Sequence, residues 1–283
     1  KGNNSVPSNT AVGVDALKVN TTGVSNTAVG YQSLSNNTTV SGVEGSYNTA
    51  TGYQALYANT TGYQNTATGY NALHDNTSGY FNTAVGKEAL NSNTTGVLNT
   101  AVGYLALLGV SGLSTGSNNT AIGPYSLFSN KAGSNNTATG VDTLKTNTIG
   151  NLNTATGYQA LSGNTISYYN TAYGARALMG NISNTTGRNT AVGYEALLKN
   201  TTSSNTAVGA SALSSNSTGG SNTAVGNNAL KNNDTGFGNT ATGDNALSNT
   251  TGSYNTAYGT FALSANTSGP SNTAVGYNAL FSN

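Results

Sequence analysis

The chain has 283 residues, of which 6% are charged and 37 are Gly, with no Cys and a formal net charge of +1. Ordinary soluble domains carry about 25% charged residues, so the composition is not that of a typical globular domain. The small net charge gives no electrostatic attraction toward nucleic acid, and disulfide scaffolds are excluded. No apolar run reaches the roughly 18 residues that a membrane span needs.

From the N-terminus, residues 1–8 form a lead-in, and residues 9–283 are built from one repeat. The string Asn-Thr-Ala-x-Gly occurs sixteen times, and most copies start 17 residues after the previous one. A Leu follows every motif Gly by four residues, and a second Asn follows about three residues after that Leu in nearly every copy. Because the chain begins without Met and stops inside a repeat, we expect it to be a segment of a longer protein.

One repeat cannot fold alone. Burial of its single Leu contributes roughly 1.5–3 kcal/mol, whereas ordering each backbone residue costs about 1–2 kcal/mol. Stacking lets hydrogen bonds and apolar columns run from one repeat to the next. The sequence therefore predicts an all-β fold, a parallel β-solenoid (β-roll) of about sixteen coils of roughly 17 residues.

Within each coil, Asn-Thr-Ala-Val-Gly is predicted to be a short strand. Its alternation places Asn and Ala on one side, and Thr and Val on the other. The sequence of the second half of the coil favours a second short strand, although residues 194–200 are also compatible with one helical turn. We expect two short strands per coil.

Two sets of residues are predicted to hold the coils together. Asn side chains at one coil spacing can form amide ladders, although Asn is also common simply because it tolerates tight corners. The predicted ladder residues are Asn9, Asn26, Asn48, Asn65, Asn82, Asn99, Asn119 and Asn136. The predicted core residues are Leu17, Leu34, Leu56, Leu73, Leu90, Leu107, Leu127 and Leu144.

The coils that begin at Asn26, Asn99 and Asn170 are longer than the others. Their additional residues fall between the Leu and the next motif, around 40–46, 109–117 and 182–188. Insertions confined to one arc of a repeat are typical of loops on one face.

No residue pattern predicts catalysis, a metal site or a cofactor. The single His, His74, stands beside Asp75 in a variable corner. Four carboxylates share one repeat position, but the nearest pair would be about 14 Å apart at the spacing of stacked strands. Calcium-binding turn motifs and phosphate loops are also missing. Since no catalytic, metal or cofactor site is predicted, we expect that the protein is not an enzyme. Asn-Thr-Thr is formally a glycosylation acceptor at Asn20, Asn59, Asn93, Asn200 and Asn249, among others.

Tyrosine is the remaining candidate for recognition. An exposed ring with a polar tip suits contact with a sugar or a surface, although the same ring can simply cover the side of the stack or pack against a neighbouring chain. The candidate contact residues, which all follow the motif Gly, are Tyr31, Tyr53, Tyr70, Tyr104, Tyr158, Tyr194 and Tyr277.

The motif Asn-Thr-Ala-Val-Gly-Tyr-x-Ala-Leu resembles the head repeats of trimeric autotransporter adhesins, whose motif is similar to Asn-Ser-Val-Ala-Ile-Gly. It is also similar to repeat regions of tail-fibre-type bacterial surface proteins. The resemblance covers nearly the whole chain and implies a parallel β-roll in an extracellular fibre. The adhesin repeats are shorter and lack the constant Leu, so no binding residue is transferred.

We therefore expect a structural or adhesive component of an extracellular fibre or surface appendage. Its expected partners are like chains, in an oligomer or filament, and a surface glycan or other cell-surface ligand, with no nucleic acid and no membrane span. The alternative is an ice-binding or carbohydrate-binding solenoid module. Strands that read Thr-Ala-Thr would build a threonine array for ice, but Val, Ile and Tyr interrupt its second column.

Overall fold

The computed structural model describes residues 8–38, 44–110, 114–180 and 187–282. Sixteen strands of three residues follow one another in chain order, and consecutive strands pair in parallel within each half of the chain. The prediction of a parallel β-solenoid of roughly 17-residue coils is confirmed. Helices are not present among the described residues.

The chain divides into two compact units. The N-terminal unit comprises Lys1–Asp142 with Asn147–Ile149, and the C-terminal unit comprises Thr143–Thr146 with Gly150–Asn283. The strands of the N-terminal unit are β1 Thr10–Val12, β2 Thr27–Val29, β3 Thr49–Thr51, β4 Thr66–Thr68, β5 Thr83–Val85, β6 Thr100–Val102, β7 Thr120–Ile122 and β8 Thr137–Thr139. The strands of the C-terminal unit are β9 Thr154–Thr156, β10 Thr171–Tyr173, β11 Thr190–Val192, β12 Thr206–Val208, β13 Thr223–Val225, β14 Thr240–Thr242, β15 Thr256–Tyr258 and β16 Thr273–Val275.

Neighbouring strands pair without any shift in register. In β4 and β5, Thr66 lies beside Thr83 and Ala67 beside Ala84. Each repeat position therefore forms a column of equivalent residues within a unit. The middle Ala of every strand points inward, and from β2 onward it is buried.

Among the residues that the structure describes, the expected second strand of each coil is not formed, and neither is the alternative helical turn at 194–200. The backbone has a positive φ at the motif Gly and at the second and fourth residues after it, as at Glu195 (φ 56°) and Leu197 (φ 53°). A helix or a strand needs consecutive residues with negative φ. This half of the coil forms successive turns instead, closed by bonds such as Asn59 N to Leu56 O at 3.2 Å.

The constant Leu adopts the left-handed conformation, which is uncommon for a bulky residue and costs roughly 1–2 kcal/mol. Two gains offset this cost. Its side chain is buried, which contributes roughly 1.5–3 kcal/mol. Its N–H also donates to the next coil, as from Leu56 N to Ala72 O at 3.0 Å.

The motif Gly permits close approach of adjacent coils. Gly69 has a φ of 139°, and a Cβ there would lie 2.4 Å from the carbonyl oxygen of Gly86 in the next coil. Only glycine therefore fits this position, because both the backbone conformation and the space exclude a side chain.

The interior is a narrow column of Leu, Ala and Asn side chains. The eight Leu predicted as core are buried, and so are their equivalents in the C-terminal unit up to Leu263. Leu280, in the last coil, is half exposed. Of the three predicted inserts, residues 39–43, 111–113 and 181–186 lie outside the described part of the chain.

Candidate functional surface

The motif Asn residues form the first asparagine column, which includes the eight predicted ladder residues. All eight are buried. In several coils the predicted amide ladder is present, as from Asn65 Nδ2 to Asn48 Oδ1 at 3.2 Å, and the same oxygen also accepts the backbone N–H of the next motif Asn. Asn48 N donates to Asn26 Oδ1 at 2.8 Å, and Asn48 Nδ2 donates to Gly62 O at 2.9 Å. Each side chain thus joins two corners of its coil and binds the neighbouring coil.

The Asn three residues after the Leu forms the second asparagine column, in which side-chain amides also bond from coil to coil. In the N-terminal unit an uninterrupted stretch runs through Asn20, Asn37, Asn59, Asn76 and Asn93, before Val110 takes the Asn position in the next coil. Each Nδ2 donates to the Oδ1 of the preceding Asn, at distances of 2.7, 3.0, 2.8 and 2.9 Å. Each Nδ2 also donates to a Gly carbonyl in its own coil, as from Asn59 to Gly62 at 2.9 Å. Buried amides are therefore well satisfied along the axis.

The hydrogen bonds of the second asparagine column decide which Asn-Thr-Thr motifs could carry a glycan. Asn59, Asn93 and Asn200 are buried with their amide nitrogens engaged, so a glycan on any of them is incompatible with this fold. Asn249 is an exception, since it is exposed and stands one position before the column. Its place in the column is taken by the buried Thr250. Asn249 therefore does not belong to the column, because one residue separates it from Leu247, whereas two residues separate Asn59 from Leu56.

The outward side of the strands forms a surface that we call the threonine face. It consists of the first and third residue of each strand, β1 to β16. The first residue is Thr in all sixteen strands, and the third is Val, Thr, Ile or Tyr. These side chains are exposed or half-buried, and no charged residue occurs at either position. The face is therefore a regular, uncharged array of hydroxyl and methyl groups.

The two units differ in the third strand residue. In the N-terminal unit it is Val, Thr or Ile in every strand, so both columns contain only β-branched residues. In the C-terminal unit the same column contains Tyr173 and Tyr258, each 62% exposed. The sequence predicts that Val, Ile and Tyr all interrupt the array. Since Val and Thr have the same branched shape, only the two tyrosines interrupt it sterically.

The candidate tyrosines lie on the exposed side of the turns that follow the motif Gly. Tyr31, Tyr53 and Tyr70 stack on one another, with ring centroids 5.3 and 5.1 Å apart. Lys87 Nζ then lies 5.6 Å from the Tyr70 ring and 5.7 Å from that of Tyr104. The faces of these rings are largely occupied by neighbours, so the rings present mainly their edges and hydroxyls to solvent.

In the C-terminal unit, Tyr158, Tyr194 and Tyr277 are exposed. The coil after Tyr158 has Ala175 at the equivalent position, and the coil after Tyr194 has Ala210. These two rings are therefore separated from other rings of their column, and only Tyr277 has a ring contact, with Phe261 at 6.5 Å.

In the part of the chain that the structure describes, ionisable side chains do not converge on one site. His74 Nδ1 lies 2.6 Å from Asp75 Oδ1, and its ring stacks on Tyr57. Arg176 pairs with Glu195 at the equivalent position of the next coil. Within the described ranges, no group of three or more His, Asp or Glu side chains could hold a metal ion. A helix long and apolar enough to cross a bilayer is likewise not found in those ranges.

Comparisons with protein-family models, curated proteins and solved structures gave no match. The resemblance to adhesin head repeats and tail-fibre repeats therefore stays a prediction from the motif.

Proposed function

We propose that this chain is a structural and adhesive component of an extracellular fibre or surface appendage. The main support is that the same interior contacts recur from coil to coil along the described part of the chain. A buried Leu, a buried Ala and buried Asn side chains bind each coil to the next, while sequence variation is confined mainly to outward positions. A repeat with this arrangement suits a spacer whose length is set by the number of coils.

The exterior supports association with like chains. Charged residues are only 6% of the sequence, so electrostatic repulsion between copies is weak. The exposed tyrosines after the motif Gly provide semi-apolar surface, which often marks an interaction site. The stacked tyrosines also supply hydroxyls for adhesion to a glycan or a cell surface.

The direct test is to locate the protein on its source. Antibodies raised against the full chain, used with immunogold electron microscopy, should label fibres or appendages outside the cell. Labelling confined to the cell interior would contradict the proposal, as would recovery of the native protein only as a soluble monomer by light scattering.

A mechanical test addresses the spacer role. Pulling the full chain in a single-molecule force experiment should release coils in small steps. A 17-residue coil should lengthen the chain by roughly 60 Å, at about 3.3–3.6 Å per extended residue. Chain extension at negligible force would show that the stack cannot transmit load.

A further inference from the structure

We infer that the threonine face of the N-terminal unit binds ice. The inference goes beyond the proposed structural role and does not depend on it. It is carried by the regularity of β1 to β8, whose outward residues are all β-branched and lie in register.

The spacing of the array is close to that of ice. In a tetrahedral water network with oxygens about 2.75 Å apart, second-neighbour oxygens lie about 4.5 Å apart. Neighbouring strands lie about 4.7–4.9 Å apart, so each coil is within about 0.4 Å of that repeat. Since the strands pair without register shift, every coil repeats the same pattern.

The chemistry of the face suits ordered water. A Thr hydroxyl both donates and accepts a hydrogen bond, as each water in ice does. The adjacent methyl groups of Thr, Val and Ile order the water around them without competing for hydrogen bonds. Side chains branched at Cβ are stiff at χ1, so little rotamer freedom is lost when the water layer freezes onto them.

Other occupants fit the face less well. A charged partner would find no complementary group, because neither outward column contains a charged residue. Stacking of sugar rings needs exposed aromatic faces, and the outward strand residues of the N-terminal unit include no aromatic residue. A second copy of the chain is the main competitor, and the experiment below distinguishes it.

The test uses the full chain and measures thermal hysteresis, together with inhibition of ice recrystallisation. The loss variant carries Val85→Tyr and Val102→Tyr, which place rings in the middle of the array. The fold accepts Tyr at this strand position, since Tyr173 pairs in register with Val192. The control is Thr95→Tyr, at an exposed turn position in the same coil as Val85. A gain variant carries Tyr173→Val and Tyr258→Val.

We expect hysteresis in the unaltered chain, a severalfold loss in the Val85→Tyr/Val102→Tyr variant and no change in Thr95→Tyr. The gain variant should show more hysteresis than the unaltered chain, because the second unit then also presents an uninterrupted array. Circular dichroism should report the same fold for all four proteins.

Three results would overturn the inference. The first is no hysteresis in the unaltered chain, and the second is hysteresis that persists in a correctly folded Val85→Tyr/Val102→Tyr variant. The third is an oligomer of the unaltered chain that this variant dissociates, as measured by light scattering. That result would assign the face to contact with a second copy.

Discussion

In the N-terminal unit the outward strand positions carry only β-branched residues, whereas in the C-terminal unit Tyr173 and Tyr258 project from the same column. The tyrosines after the motif Gly differ as well, since three of them stack in the N-terminal unit and Tyr158 and Tyr194 are separated from their neighbours in the column. The interiors of the two units are nearly identical. The difference shows that the stack constrains what points inward and leaves the outward positions free to specialise.

The largest effect should come from a charge in the Leu column. Leu73→Asp in the N-terminal unit and Leu213→Asp in the C-terminal unit should each lower the free energy of unfolding by more than the 2–5 kcal/mol typical of large-to-small core changes. The new carboxylate would be buried without a partner. Chemical denaturation followed by circular dichroism measures the change.

Gln64→Asp is the control, since Gln64 is exposed and already has a positive φ of 52°. It should change stability by less than about 0.5 kcal/mol. If one unit tolerated the charged Leu replacement, the two interiors would not be equivalent.

A side chain at the motif Gly should also be severely destabilising. Gly69→Ala forces Ala into a φ that strains its backbone by about 1–3 kcal/mol, and its Cβ would meet the Gly86 carbonyl. The melting temperature should fall clearly. Gly220→Ala is the matched control, because its nearest heavy atoms would lie 3.5 Å away. Equal melting temperatures for these two variants would show that the close approach of adjacent coils at Gly69 does not exclude a side chain.

Loss of one amide from the second asparagine column should have an intermediate effect. Asn76→Ala removes the donor to Asn59 Oδ1 and Gly79 O and the acceptor for Asn93 Nδ2. A buried polar group left without a partner costs about 1–3 kcal/mol. Thermal melting should show this loss, whereas Asn249→Ala should cost less, because the hydrogen bonds of this exposed side chain to Asn232, Ser248 and Ser264 can be replaced by water. A neutral Asn76→Ala would mean that the ladder contributes little to stability.

The smallest effect should come from the tyrosines. Tyr53→Ala removes a ring that stacks on Tyr31 and Tyr70, and aromatic pairs contribute about 0.5–1.5 kcal/mol beyond burial. Tyr194→Ala removes a ring that has only Ala175 and Ala210 beside it in its column. The loss of stability should therefore be smaller than for Tyr53→Ala. Calorimetry can compare the two. A larger loss for Tyr194→Ala would contradict the view that stacking distinguishes the units.

Much of the architecture could be predicted because each position is repeated sixteen times. Recurrence of Leu, Ala and Asn at fixed positions indicates the interior, and a short unit with one Leu requires stacking. The Asn-Thr-Thr string at Asn249 looks like the others, but its Asn lies outside the column. It follows Leu247 by two residues instead of three, so Thr250 occupies the column position.

The sequence by itself determined the repeat, the parallel stacking and the set of residues that face inward, because burial and strand alternation depend on local pattern. The tertiary structure alone decided the conformation of the second half of each coil. The Leu could belong to a helical turn or a strand when one coil is considered alone. Its left-handed backbone is favourable only when the next coil supplies both a carbonyl for its N–H and the neighbouring Leu and Ala side chains against which it is buried.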